Sequence, residues 1–181
     1  VEAELTISLS RDDAEFELHN LGGGYALSFS GADNYVEIAH APSISFNEDM
    51  TLEARIYPTV DGASANGMIL GKEGAYQVAR FADGTIRYAF NNDRGMGWVN
   101  TGHIAPDDAW THIAITYDYD AETGLAAVTT YANGEEVHKE ETAGLIRRSG
   151  EALRIGNQSP YSTPFHGSID EVRLWDDVRE A

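Results

Sequence analysis

Cysteine is absent, which excludes a disulfide framework, thiolate catalysis and cysteine-ligated zinc. The missing disulfides do not force a cytoplasmic address. Lysine is nearly absent too, with only Lys72 and Lys139. Twelve basic residues stand against 30 acidic ones, a formal net charge of −18. Phosphate backbones and anionic lipid surfaces need basic patches, so this balance argues against nucleic acid and charged membrane surfaces. It suits bound cations, neutral or cationic ligands, and a salty exterior where screening confines self-repulsion to about 8 Å. No apolar run approaches the roughly 18–20 residues of a membrane-spanning helix, so direct membrane insertion is not expected. Val1-Glu2-Ala3-Glu4 lacks the basic start and apolar stretch of a signal peptide and has no initiator Met. The chain is therefore expected to be an excised or mature piece of something longer, with neighbouring domains among its partners. Its 181 residues suit one domain.

Long helical periodicity is missing as well, and strand patterns fill its place. Leu5–Leu9 and Ala14–Leu18 alternate apolar with polar residues around Arg11-Asp12-Asp13, which predicts an N-terminal hairpin within residues 1–21. Gly22-Gly23-Gly24 follows as a break. We expect a loop within a single domain spanning residues 1–181; the alternative is a seam to a preceding module. Strands are predicted at Tyr25–Phe29, Tyr35–Ile38, Thr51–Ile56, Met68–Gly71, Tyr76–Phe81, Thr85–Phe90, Gly97–Asn100, Thr111–Tyr117, Ala126–Tyr131, Glu135–Glu140, Leu153–Ile155 and Ser168–Trp175. Asp83-Gly84 and Asn133-Gly134 supply the positive φ of tight hairpins. Pro106–Ala109 reads as one helical turn. Many short strands with turns at this spacing mean an all-β, two-sheet antiparallel sandwich or a barrel.

Six segments, in order, resemble a laminin-G-like, concanavalin A-like lectin/glucanase domain. They are Leu27–Ile38, Thr51–Pro58, Met68–Lys72, Asp108–Asp118, Tyr131–Glu135 and Phe165–Trp175, and together they cover Tyr25 to Ala181. The resemblance implies a jelly-roll sandwich, with Trp110 on a core-facing central strand. The family often adds a short helix after its last strand, about where this chain stops. The fold hosts lectins, glycosidases, adhesion modules and structural modules, so it does not name a function.

Asp170 carries the metal expectation. On the predicted strand it shares an apolar face with Val172 and Leu174, and an ionised carboxylate on an apolar row must be paired, hydrogen-bonded or bound to metal. The resemblance implies that the loop Gly31-Ala32-Asp33-Asn34 lies near this final strand. Asp170, Asp33, Gly31 and Asn34 are then the expected ligands of a structural calcium, which takes six to eight oxygens. The alternative is that Asp170 accepts backbone N–H groups while Asp33 makes an Asx turn. Asp118–Glu122 is acidic but lacks EF-hand spacing and is expected to be a solvated loop.

Sugar rings stack their C–H faces on aromatics while amides, carboxylates and guanidinium groups fix the hydroxyls. Asn91, Asn92, Asp93, Arg94 and Trp98 combine both in one Gly-rich loop. Tyr76 and Arg80, on a strand expected to pair nearby, and Tyr161 in a second loop complete the candidate glycan site. The alternative makes Trp98 core and the loop an ordinary turn. Catalysis finds little support. No strand carries the paired carboxylates of a glycosidase: Glu53 is the single acid in Thr51–Ile56. The six histidines are scattered, with no serine elbow and no metal spacing.

Together these observations lead us to expect a non-catalytic, lectin-like module of a secreted or cell-surface bacterial protein, binding a glycan or polysaccharide with a structural calcium. A protein-binding or structural adhesin module is one alternative. A polysaccharide-degrading enzyme is the other.

Overall fold

The computed structural model describes residues 7–9, 18–20, 25–31, 34–60, 66–158 and 162–179. These hold β1 (Ile7–Leu9), β2 (Leu18–Asn20), β3 (Tyr25–Ser30), β4 (Val36–Ile38), β5 (Met50–Pro58), β6 (Gly67–Lys72) and β7 (Tyr76–Arg80). They continue with β8 (Thr85–Phe90), β9 (Val99–Ile104), β10 (Thr111–Asp120), β11 (Leu125–Ala132), β12 (Glu135–Ala143), β13 (Leu153–Ile155) and β14 (His166–Trp175). Two antiparallel sheets result. The first runs β1-β4-β13-β6-β7-β8-β9, and the second β12-β11-β10-β5-β14-β3-β2. The expected concanavalin A-like sandwich is the fold observed.

Alternation builds the core. Leu52, Ala54 and Ile56 of β5 and Ile113, Ile115 and Tyr117 of β10 point inward against Val78, Ile86, Tyr88 and Phe90 of the first sheet. Each such buried aliphatic side chain contributes about 1.5–3 kcal/mol. The β11–β12 hairpin turns on Asn133 (φ 51°) and Gly134 (φ 83°), the two positive φ angles that match the twist of paired strands.

Four expectations need correction. The described parts of the two N-terminal segments pair elsewhere: β1 adds to β4 in the first sheet and β2 to β3 in the second. Each thereby satisfies the unpaired N–H and C=O groups of a strand that would otherwise be a sheet edge. Pro106–Ala109 is a turn, with Asp108 at φ 55°. Trp110 is half-buried outside the second sheet, 5.5 Å from the Tyr57 ring and beneath the Arg55 guanidinium. The inward row of β10 begins at Thr111, so its neighbour Trp110 faces out.

The fourth concerns Asp170. It lies opposite Arg55, while Arg173 lies opposite Glu53, so Glu171 and Val172 together face the single residue Ala54. Glu171 has φ 49°. This bulge inserts one residue and reverses the parity of the strand. Ile169 before it and Val172 and Leu174 after it meet the core, whereas Asp170 faces outward and accepts the Glu171 N–H at 2.7 Å.

Three fully buried tyrosines cross the interior, and each hydroxyl is satisfied. Tyr76 donates to Ile44 O at 3.1 Å, Tyr88 to Glu140 Oε1 at 3.0 Å, and Tyr117 to Gly144 O at 2.5 Å. Burial pushes all three phenols above their ordinary value of 10, with the Glu140 charge adding to the effect at Tyr88. A raised phenol stabilises the fold fully below pH 10 and loses that contribution as pH rises through the raised value. Stability should therefore fall above pH 10. In an absorbance titration these three of the nine tyrosines should ionise only as the domain unfolds. Titration of all nine near pH 10 with the fold intact would contradict this assignment.

Candidate functional site

The inward tyrosines decide which side chains lie on the outer side of the first sheet. On β7, Tyr76 and Val78 face the core, so Gln77 and Ala79 face out. On β8, Tyr88 and Phe90 face the core, so Ala89 faces out. Gly71 of β6 also lies on this outer side, where a Cβ would sit 3.2 Å from Gln77 Cγ and 3.3 Å from Met68 Sδ. Ala79 and Ala89, set among the longer Met68 and Gln77, leave a depression, a cavity of about 420 Å³ walled by Phe81 and Trp98.

Trp98 is 40% exposed. Its ring meets Phe81 edge-on at 5.3 Å and 71°. The Arg87 guanidinium covers the Phe81 ring at 4.1 Å and is held by Asp83 Oδ2 at 2.6 Å. Asp83 itself accepts the Thr85 hydroxyl at 2.5 Å and the Thr85 N–H at 3.0 Å. The Thr85 hydroxyl above all, then its N–H and Arg87, hold the Asp83 carboxyl at about 2. A short charged turn thus fastens the aromatic wall.

The opposite side of the depression is polar. Glu73 Oε2 accepts Gln77 Nε2 at 2.8 Å and Gln158 Nε2 at 2.5 Å. Asn157 Oδ1 accepts the N–H groups of Gln158 (2.7 Å) and Thr163 (2.9 Å), which ties the loop carrying Gln158 to the sheet end. Thr163 Oγ1, buried in the same wall, has no hydrogen-bond partner among the described residues.

Of the residues singled out in the sequence, Trp98 stands at this site. Tyr76 and Arg80 do not reach it, because they share the inward row. Tyr76 is sealed in the core against Phe46, and Arg80 donates from Nε to Ala105 O at 3.0 Å and pairs with Asp107 at 2.9 Å. Their outward neighbours Gln77 and Ala79 take the places expected of them.

Asn92 is buried. It donates to Thr142 Oγ1 at 2.9 Å and Tyr117 Oη at 3.3 Å, and accepts the Arg94 N–H at 3.0 Å. Asn91 donates to Gly74 O at 2.8 Å. Both amides hold the loop rather than present it. Asp93 is exposed. Arg94 is exposed, donates to Glu141 O at 3.0 Å, and borders a smaller recess of about 220 Å³ on another side of Trp98. Tyr161 lies outside the described residues. Gln77, Gln158, Glu73, Met68 and Phe81 were missed; the one available signal was that outward residues follow once Tyr76 and Tyr88 are assigned inward.

The described members of the proposed calcium set, Gly31, Asn34 and Asp170, do not converge. Asp33 lies outside the described residues. Gly31 follows Ser30, which pairs with His166, while Ile169 pairs with Leu27. At about 3.3 Å per residue this puts Asp170 on the order of 15 Å from the Gly31–Asn34 loop. Asn34 instead bonds Ser30 Oγ at 3.2 Å. Among the described residues no group of three or more histidines and carboxylates could hold a metal. Gly31, Asn34 and Asp170 do not fit one shared ion. Glu53 lies on the outer face of the second sheet, bonded to Trp175 Nε1 at 2.6 Å and 3.1 Å from His112 Nε2.

Residues 30–181 match the model of the concanavalin A-like lectin/glucanase superfamily, described by its laminin-G-type member, and the chain belongs to that superfamily. No curated protein matches the sequence. Among solved structures it is similar to a candidate carbohydrate-binding protein of Bacteroides ovatus, with 25% identity, 85% of this chain covered and a TM-score of 0.62. The match spans 44% of that protein, less than half its length. It shares its fold with domain 4 of an extracellular arabinanase of Geobacillus stearothermophilus in complex with arabinotriose, at 17% identity, 94% and 81% coverage of the two chains and a TM-score of 0.63. It also shares it with the carbohydrate-binding module of the Ruminococcus gnavus IT-sialidase bound to α2,3-sialyllactose, at 15% identity, 86% and 88% coverage and a TM-score of 0.61.

Two outcomes follow. Asn92→Ala leaves the buried Thr142 and Tyr117 hydroxyls without their amide donor and should lower unfolding free energy by about 1–3 kcal/mol in denaturant titration. The Asp83–Arg87 clasp, whose carboxyl is depressed, contributes above pH 3.8 and is lost only as pH falls towards about 2. The near-ultraviolet circular dichroism of the Phe81–Trp98 pair should therefore stay constant from pH 7 to about pH 4, and Asp83→Asn should change it at pH 7.

Proposed function

We propose that this domain is a non-catalytic carbohydrate-binding module of a secreted or cell-surface protein, and that it holds its glycan on the outer face of the first sheet. The observation that carries the proposal is Trp98. It is a large aromatic, substantially exposed, braced by Phe81 and set beside a depression whose far side offers amides and a carboxylate. An aromatic wall takes the C–H face of a sugar ring, and the polar groups opposite take its hydroxyls. Small side chains on the floor let the ring sit close to the sheet. Related sandwiches solved with arabinotriose and with sialyllactose support the same use of the fold. The charge of −18 is compatible with an uncharged partner and with an extracellular medium.

The test is a glycan array followed by calorimetry on the strongest hit, with Trp98→Ala beside the natural domain. The variant should lose at least tenfold in affinity, about 1.4 kcal/mol, with an unchanged thermal midpoint. Unchanged affinity, or no glycan bound by the natural domain, would overturn the proposal. Turnover of a polysaccharide by the isolated domain would overturn its non-catalytic part.

A further inference from the structure

We infer that the ligand is an extended stretch of an uncharged, hydroxyl-rich polysaccharide, laid across two adjoining cavities that meet at Glu73 and Gln158. This rests on the reading of the same face as a glycan site and names what that site selects.

The depression beside Trp98 does not end at its polar side. A second cavity, of about 530 Å³, continues beyond it, bordered by Gly71, Gly74, Arg148, Ser149 and Glu151. Glu73 and Gln158 line both cavities, so the two adjoin across this hydrogen-bonded pair of side chains. Gly74 borders the second cavity with a φ of 76°, a backbone conformation that disfavours any side chain there. Each cavity falls within the size range that encloses a small organic ligand. A single sugar ring would leave most of the pair empty, whereas a chain passing over Glu73 fills both.

The junction also sets the chemistry. Both glutamine amides spend an N–H on Glu73 Oε2. No protein donor among the described residues bonds Glu73 Oε1 or the two amide oxygens. What the junction presents is therefore the Glu73 charge, three acceptor oxygens and the second N–H of each amide, all close together. A carboxylate or sulfate is acceptor-only and meets the Glu73 charge with repulsion. Sugar hydroxyls donate as well as accept, so they match both kinds of group without adding charge. The cations of the second cavity do not reverse this preference. Arg154 is bound to Glu37 at 2.8 Å and lies 4.6 Å over the Tyr35 ring, and Arg148 shares its cavity with Glu151.

The experiment is calorimetry on the intact domain with arabinan-, xylan- and β-glucan-derived oligosaccharides from disaccharide to hexasaccharide, and with oligogalacturonates and alginate oligosaccharides of matching length. For the neutral series that binds, affinity should rise at least tenfold from disaccharide to tetrasaccharide and then level off. Acidic oligosaccharides of equal length should bind at least tenfold more weakly. Ala152 also lines the second cavity and not the first; Ala152→Trp, which fills the second cavity, should abolish the gain with length and leave disaccharide affinity unchanged. Because the length series uses the natural domain, the inference stays testable if that variant fails to fold. Length-independent affinity, or acidic chains bound as tightly as neutral ones, would overturn it while Trp98-dependent binding still stood. If no oligosaccharide bound at all, the glycan reading of this face would fall with it.

Discussion

Tyr76 and Tyr88 point into the core, and the outer face of the first sheet follows from that. A buried phenol hydroxyl without a partner costs on the order of 1–3 kcal/mol, and these two have the Ile44 carbonyl and the Glu140 carboxylate within reach. Shifting β7 by one position would turn Gln77 into the apolar core and Tyr76 out of it, shifting β8 would turn out Tyr88 and Phe90, and each shift would leave one acceptor without its hydroxyl. Register on β7 and β8 is therefore strongly specified. With it come Gln77, Ala79 and Ala89 on the outside, in a patch of small residues where a ligand can approach the backbone. The shape of the site is a by-product of core packing one layer below.

Around that patch the side chains are held rather than loose. Trp98 rests on Phe81, Phe81 lies under Arg87, and Arg87 is clasped by Asp83 within a hairpin turn. Across the depression Glu73 gathers two glutamines from segments 81 residues apart, Gln77 on β7 and Gln158 after β13. Surface charge pairs alone contribute little to stability. Their value here is positional: they reduce the freedom a ligand would otherwise have to freeze out on binding. The face belongs to a superfamily fold whose chemistry is not given by its architecture, so these contacts, rather than the sandwich, carry the functional argument.

The bulge at Glu171 shows how one residue can redirect an inference. Asp170 draws attention only if β14 alternates without interruption. The extra residue sends Asp170 outward, beside Arg55, and leaves Val172 and Leu174 on the core side. This half-exposed carboxylate on the outer face accepts the next N–H, so it no longer stands as an unpartnered charge on an apolar row. The same register separates it from the Gly31 loop, because antiparallel pairing brings His166, and not Asp170, to that end of β3.

The sequence by itself determined the class of fold and most strand positions. Alternation, Asn-Gly and Asp-Gly turns and the absence of helical periodicity are local properties of the chain. It also singled out Trp98, because a tryptophan after Asn91–Gly97 in a glycine-rich loop has few core neighbours to pack on. Tertiary structure decided the rest. Which of two alternating rows faces inward on β7 depends on the acceptors that a distant loop and β12 bring to Tyr76 and Tyr88. Whether Asn92 binds a ligand or bridges Thr142 and Tyr117 depends on strands 25 and 50 residues away. The partnership of Glu73 with Gln158 spans 85 residues, and the parity of Asp170 turns on a single positive φ at Glu171. Parity and long-range pairing are properties of the packed sheets, set where β-strands meet, and no local pattern of residues encodes them.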